Sequence, residues 1–379
     1  MDLLWLVPLI IGAVLWAGCD VISDAVIGEQ DEEKEKSEKD DIEKNNKDGD
    51  EEKNMVISTE NKATTPTGEK LTGEQDAIIS GIVMFFLGIF IHSAMGTTQL
   101  YEYYDTYIAN DGFTAANSLE RISPTMVTWA ALIGGVFQCG SLIYLLKSFE
   151  SSSSTIIVPM IQLNSIIILP LSIILSILSY YYPILSTFHK IITPTHLFAF
   201  TLIFFGSFYP SLEGDFSQLS KMSFWKQKAV SQVLLSDFLI AIYYLIVSFC
   251  TNETGAMSSK SFLVVSTYGN CLTFGFLILF VRSFRRSAIT LLKIPRKYIY
   301  LSAIGEILSL SGYFFVSISY HLYYNSGIVS AAEGALNQFF NLIVAILLKK
   351  FLNFGRDVKR VREKVFSCII VSIGLILTT

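Results

Sequence analysis

Charge is scarce in this chain. Charged residues are 16% of 379, against about 25% in soluble domains, and much of that charge sits in one stretch, Glu29 to Asp76, with its core DEEKEKSEKDDIEKNNKDGDEEKN. This argues against a soluble fold. The net charge of −5 describes that stretch, not a nucleic-acid surface. Metal and disulfide signatures are missing too. The cysteines Cys19, Cys139, Cys250, Cys271 and Cys368 form no CxxC or Cys/His spacing and fall in or at the ends of apolar runs. Buried thiols are expected, with no structural zinc and no disulfide framework. No GxxxxGK[ST], HExxH or GxSxG is present, and no loop clusters catalytic His, Asp or Arg. The expectation is therefore a protein that is not an enzyme, does not use ATP directly and needs no cofactor or metal. A basic leader is missing as well: no Lys or Arg precedes Lys34. Leu15-Trp16-Ala17-Gly18-Cys19 faintly resembles a lipoprotein cleavage box, but signal peptides open on a basic region and Trp16 suits such a box poorly. Residues 3–27 are read as a retained helix.

What the chain has instead is apolar length. Mean hydropathy is +0.49. Ten stretches approach the roughly 20 apolar residues needed to cross about 30 Å of hydrocarbon. They lie near 3–27, 77–97, 123–147, 155–179, 192–212, 229–250, 261–282, 299–322, 326–349 and 363–379. Backbone groups in lipid must be satisfied internally, so these should be helices. The segment 28–76, poor in apolar and aromatic residues, reads as a disordered acidic insert. The lipid bilayer is the first partner implied. The membrane in question, plasma or organellar, is left open.

The first five spans align with the second five. Asp20 falls on Asp237; Ser153–Ile156 falls on Ser326–Val329, and the same register sets Gln162-Leu163-Asn164 on Ala335-Leu336-Asn337. Ala199 to Gly206 falls on Ser367 to Gly374. The change in offset after the first span is close to the excess length of the insert over its counterpart loop, 251–260. Five crossings per half put the ends of each half on opposite sides, so the halves would be inverted. The expected organisation is a first helix at 1–27, the insert at 28–76, helices two to five at 77–215 and the second five-helix repeat at 216–379.

Local motifs point the same way. Trp16-Ala17-Gly18-Cys19-Asp20-Val21-Ile22-Ser23-Asp24 is similar to W-G-x-x-N-V-x-x-K at the end of a first helix. Ile156 to Asn164 resembles V-x-P-L-x-x-L-x-P in a fourth, and Val371 to Leu377 a closing I-x-x-G-x-x-L. On these residues the chain resembles the EamA-like branch of the drug/metabolite transporter superfamily. That resemblance implies an all-α integral membrane protein of ten transmembrane helices in two inverted five-helix repeats, carrying a small metabolite. Aspartates stand at Asp20 and Asp24 where the pattern has Asn and Lys, and no proline follows near Asn164, so the resemblance does not transfer a substrate.

Polar residues inside the spans are the candidate site. An ionisable group in hydrocarbon costs about 2.5–3.5 kcal/mol on insertion scales. On the ninth span Ser330, Glu333, Asn337 and Asn341 recur at steps of three or four and share a face, opposite Ile328, Ala332, Phe339, Ile343 and Ile346. The eighth offers Glu306, Ser309, Tyr313, Ser317 and Tyr320; the fourth Gln162 and Ser165; the third Gln138 and Ser141; the sixth Gln232 and Ser236. The Ser and Tyr positions are read as interhelical glue, worth about 0.6 kcal/mol each. Asp20, Asp237 and Glu333 are read as functional, because a buried carboxylate costs more than glue returns; one able to take up a proton could couple transport to a gradient. The substrate-binding or coupling candidates are Asp20, Gln138, Gln162, Asp237, Glu306, Glu333, Asn337 and Asn341. His321 reads as interfacial, as do the Tyr101–Tyr104 and Tyr180–Tyr182 clusters. Gly134, Gly135, Gly140, Gly312, Gly327 and Gly334 suit close helix packing, and Pro159 and Pro170 could kink the fourth span.

Loops after spans three, five, seven and nine hold seventeen Lys and Arg, those after two, four, six and eight only Arg121, Lys190 and Lys260. The positive-inside rule sets the first group in the cytosol and both termini outside or in a lumen; the family resemblance implies cytosolic termini. Two functions compete: a secondary carrier, with protons and a homodimer as open partners, and a non-transporting scaffold or sensor using the acidic insert as its arm.

Overall fold

The computed structural model describes residues 3–27, 70–95, 123–151, 164–182, 193–209, 227–251, 257–323, 326–352 and 361–378, with isolated positions at 157, 160, 161, 185, 188, 221 and 225. Among the described residues every regular element is helical. In chain order they are α1 (Leu6–Ile27, entered through a 3₁₀ turn at Leu3–Trp5), α2 (Gly73–Met95), α3 (Pro124–Ser151), α4 (Asn164–Ser179), α5 (Pro194–Phe208) and α6 (Lys228–Thr251). Then follow α7 (Ser259–Phe280), α8 (Arg282–Leu291), α9 (Arg296–Leu322), α10 (Ser326–Leu352) and α11 (Val361–Thr378).

Seven of these, α1, α2, α3, α6, α7, α9 and α10, are long and apolar enough to cross a membrane. That is the mark of an integral, multi-pass membrane protein. Their outer sides carry large bare apolar groups: Phe86 and Phe90 on α2, Trp129 on α3, Leu272, Phe276, Leu279 and Phe280 on α7. Acyl chains cover such surfaces; water does not. Among the described residues the other three expected spans are shorter helices. α4 has 16 residues and α5 has 15, about 24 Å and 22 Å of helix, and α11 has 18 with Arg362, Glu363 and Lys364 in its first turn.

Two boundaries differ from the sequence expectation. α2 starts at Gly73, not at 77, because Thr72 and Gln75 form a reciprocal cap: Thr72 N–H donates to Gln75 Oε1 (2.8 Å), and Gln75 N–H to Thr72 Oγ1 (3.3 Å). Lys70 donates from Nζ to the Ala25 carbonyl at 3.0 Å, and Leu71 is fully buried. The insert thus gives way to packed structure by residue 70; residues 28–69 lie outside the described set. α8 was not expected. Its Phe284 is buried, with the Lys147 ammonium over its ring, while Arg282, Arg285 and Arg286 are exposed, a basic amphipathic turn of the kind that lies at a membrane surface.

α1 packs on α9 and α10, and α6 packs on α3 and α4. α3 also meets α7, α2 meets α9, and three pairs face each other directly: α2 with α7, α4 with α10, α5 with α11. The closest approach is α3 against α7. A Cβ on Gly135 would lie 1.9 Å from the Ser266 carbonyl oxygen, and one on Gly269 would lie 2.1 Å from that of Leu132. At one end of the bundle, the start of α2, the end of α3 and α8 meet: Glu74 accepts from Ser283 and Ser287 and pairs with Lys147 at 2.9 Å. At the other, Trp5 stacks on Tyr323 (4.8 Å), Cys250 reaches the Val127 carbonyl, and His321 Nδ1 lies 2.6 Å from the Thr251 carbonyl oxygen. Successive long helices therefore run in alternating directions.

Candidate functional site

A cavity of about 90 Å³ lies inside the bundle, room for a few waters. It is walled by α1 (Trp16, Asp20), α2 (Asp76, Ser80), α3 (Ser141), α4 (Asn164), α6 (Ser236, Asp237, Tyr244), α9 (Ser302, Glu306, Tyr313) and α10 (Glu333, Asn337). Five carboxyl groups line it, from five different helices, and among the described residues no Lys, Arg or His does.

Each carboxyl is placed by its helix register. On α10, Glu333 and Asn337 are one turn apart, so both point inward; each is buried, at 4% and 7% exposure. Tyr244 Oη donates to Glu333 Oε1 at 2.7 Å, and Tyr244 is itself held by stacking on Tyr320 at 5.2 Å. On α6, Asp237 and Tyr244 are seven residues apart, two turns along the same face. On α2, Asp76 and Ser80 repeat the one-turn spacing; Asp76 accepts from the Ser302 hydroxyl. Trp16 lies across Gly312, where a Cβ would come within 2.5 Å of the ring. Its Nε1 donates to the Ser309 carbonyl at 3.0 Å, and Tyr313 meets it edge-on at 4.8 Å. Only a glycine at 312 leaves this indole its seat.

Hydrogen bonding leaves gaps. Among the described residues, neither oxygen of Asp237 has a partner, nor does Oε1 of Glu306, Oε2 of Glu333 or Oδ1 of Asn337. Buried polar groups are almost always satisfied, and the cavity has room for waters that can reach these atoms.

Of the candidates read from sequence, Asp20, Asp237, Glu306, Glu333 and Asn337 meet at this cavity. Asn341 stands one turn beyond Asn337, is not part of the lining, and donates from Nδ2 to Asp20 Oδ2 at 3.3 Å. Gln138 is buried at 2% exposure but does not line the cavity. Gln162, with the side chains of Asp24, Ser165 and Ser330, lies outside the described residues. Ser141 and Ser236 behave as glue, with hydroxyls 2.9 Å apart. Asp76, Asn164 and Tyr244 were missed as site residues. The cap at Thr72–Gln75 was the readable signal for Asp76, because it moves the helix start and puts Asp76 on the same face as Ser80.

The four described cysteines, Cys19, Cys139, Cys250 and Cys271, are unpaired. Among the described residues no group of three His, Cys, Asp or Glu is placed to hold a metal ion. No protein-family model matches the chain, and no curated protein is significantly similar to it.

Proposed function

We propose that this chain is a secondary carrier, moving a small metabolite by alternating access between two inverted five-helix halves, α1–α5 and α6, α7, α9, α10, α11. The observation that carries the reading is the cavity. It lies between the halves, takes carboxyls from α1 and α2 of one and from α6, α9 and α10 of the other, and leaves several of their oxygens unmatched. A scaffold gains nothing from such groups, each costly to keep away from water; a carrier needs them where its cargo sits.

The helix neighbours support the repeat. Exchanging the two halves turns α1–α9 into α6–α3, α1–α10 into α6–α4, and α2–α9 into α7–α3. The pairs α2–α7, α4–α10 and α5–α11 map onto themselves. Asp20 and Asp237, matched by the sequence alignment, line the same cavity, as mates do around a central two-fold axis. These features also agree with the EamA-like resemblance.

The test is uptake into proteoliposomes from a metabolite library, with and without an imposed proton gradient. At least one solute is expected to enter only when protein is present. A library that stays outside under both conditions refutes the carrier. Topology has its own test. Asn252, in Asn252-Glu253-Thr254 after α6, should acquire a glycan, whereas a sequon engineered beside Lys293 should not. The reverse pattern would turn the molecule over.

A further inference from the structure

The titratable carboxyls of the cavity form no built metal site among the described residues. They come from five helices and do not converge in threes on one point, as a hard cation of fixed coordination requires. What the cavity adds is aromatic: Trp16, Tyr244 and Tyr313 share the lining with the acids. Carboxylates with aromatic walls are the chemistry that receives an organic ammonium ion, by charge pairing and by attraction to the ring quadrupoles.

Asp237 is the second, independent observation. It is 1% exposed, lines the cavity, and neither of its oxygens meets a hydrogen-bond partner among the described residues. Protonation alone does not satisfy it, since an acid O–H would still need an acceptor. Its neighbours in the lining supply no positive charge: Asp20 from α1, Asp76 from α2, Asn164 from α4, Tyr244 from its own helix, Glu306 and Tyr313 from α9, Glu333 and Asn337 from α10. An anionic cargo would meet acids and no cation in the described lining, and a neutral one would leave an ionised Asp237 uncompensated.

Resting on the carrier reading above, we propose that the cargo is a small organic ammonium ion, its cationic centre held at Asp237 against the aromatic wall. The test uses the full-length protein in nanodiscs and labelled choline as probe. The competitor is 3,3-dimethylbutan-1-ol, its uncharged isostere. Choline should bind in a displaceable manner, and the neutral isostere should compete at least about tenfold more weakly. Asp237→Asn should lose at least about tenfold in affinity while its melting temperature and elution profile match the native protein, and Asp237→Glu should recover part of the loss. Asn at 237 keeps the shape and removes the charge, so a merely structural Asp237 would move the melting temperature and not the choice between choline and its isostere. Equal competition by the isostere overturns the proposal. So does undiminished choline binding in Asp237→Asn, or no binding of choline, tetramethylammonium, ethylammonium or guanidinium. The two readings fail separately. If a neutral or anionic solute from the library is taken up and no ammonium ion binds, the cation site falls and the carrier stands. If choline binds at Asp237 but no solute crosses, the carrier falls and the cation site stands.

Discussion

Replacing Gly135 by leucine should abolish the folded protein. Gly135 on α3 and Gly269 on α7 form a reciprocal contact in which each Cα presses on the partner's backbone. A side chain at 135 would begin 1.9 Å from the Ser266 carbonyl oxygen and 2.7 Å from the Asn270 nitrogen. Backbone cannot swing aside as a side-chain tip can, so the helices must separate. Over-packing of this kind costs about 1–3 kcal/mol even for small additions, and in lipid close packing is itself the main force between helices. Separation would also undo Gly269 against Leu132, since both contacts lie on one crossing. Alanine should already lower the melting temperature in detergent, and leucine should leave no monodisperse peak on size exclusion. Gly275 is the control. It lies on the same α7 with nothing within 4 Å of its would-be Cβ, and Gly275→Ala should be neutral or mildly stabilising. A Gly135→Leu protein that elutes and melts like the native one would show that α3 and α7 do not meet in this way.

Much of this arrangement was legible because lipid enforces simple rules. Apolar runs located the long helices, and the four-residue step from Glu333 to Asn337 put both on the face of α10 that turns inward. Asp20 and Asp237, read from sequence as functional carboxyls, both line the cavity. The failures have physical causes. Asp76 sits at the edge of an acidic run, and composition assigned it to the insert; a four-residue cap, Thr72 to Gln75, outweighs composition there. Gln138 has the right type and burial and shares the face of Ser141, Leu142 and Leu145, yet it is not part of the lining, because periodicity names a face without saying how far along the helix the cavity reaches. Tyr244 looked like one tyrosine among many in an apolar span. Its role emerges only from the 2.7 Å bond to a residue 89 positions away. α8 escaped notice because its basic residues read as loop charge, while the one buried ring that anchors it, Phe284, is invisible to a hydropathy window.

On the proton-coupled carrier reading proposed above, Glu333→Gln should separate binding from coupling. Glutamine matches glutamate in shape, and its Oε1 can still accept the Tyr244 hydroxyl that now donates at 2.7 Å, so the fold of α6 against α10 is retained. What disappears is the ability to gain and release a proton. Glu333 is suited to that task by its position. One oxygen is held by Tyr244, and the side chain lines the cavity, within reach of a proton arriving with or against the cargo. If the proton on Glu333 and the cargo compete for one negatively charged space, each release of cargo must be matched by proton uptake, and the gradient does work. Without that acid the carrier should still exchange labelled for unlabelled solute across the membrane. Its accumulation driven by an imposed proton gradient should fall by more than about tenfold, near the limit of detection. Tyr244→Phe offers a contrast: it keeps the acid, removes the donor that orients it, and should weaken transport in both assays alike. Glu306→Gln and Asp20→Asn complete the set, because Glu306 faces the same cavity and Asp20 is tied to Asn341. If Glu333→Gln concentrates solute as well as the native carrier does, the coupling proton belongs to another of the five acids, or the gradient has no part in transport.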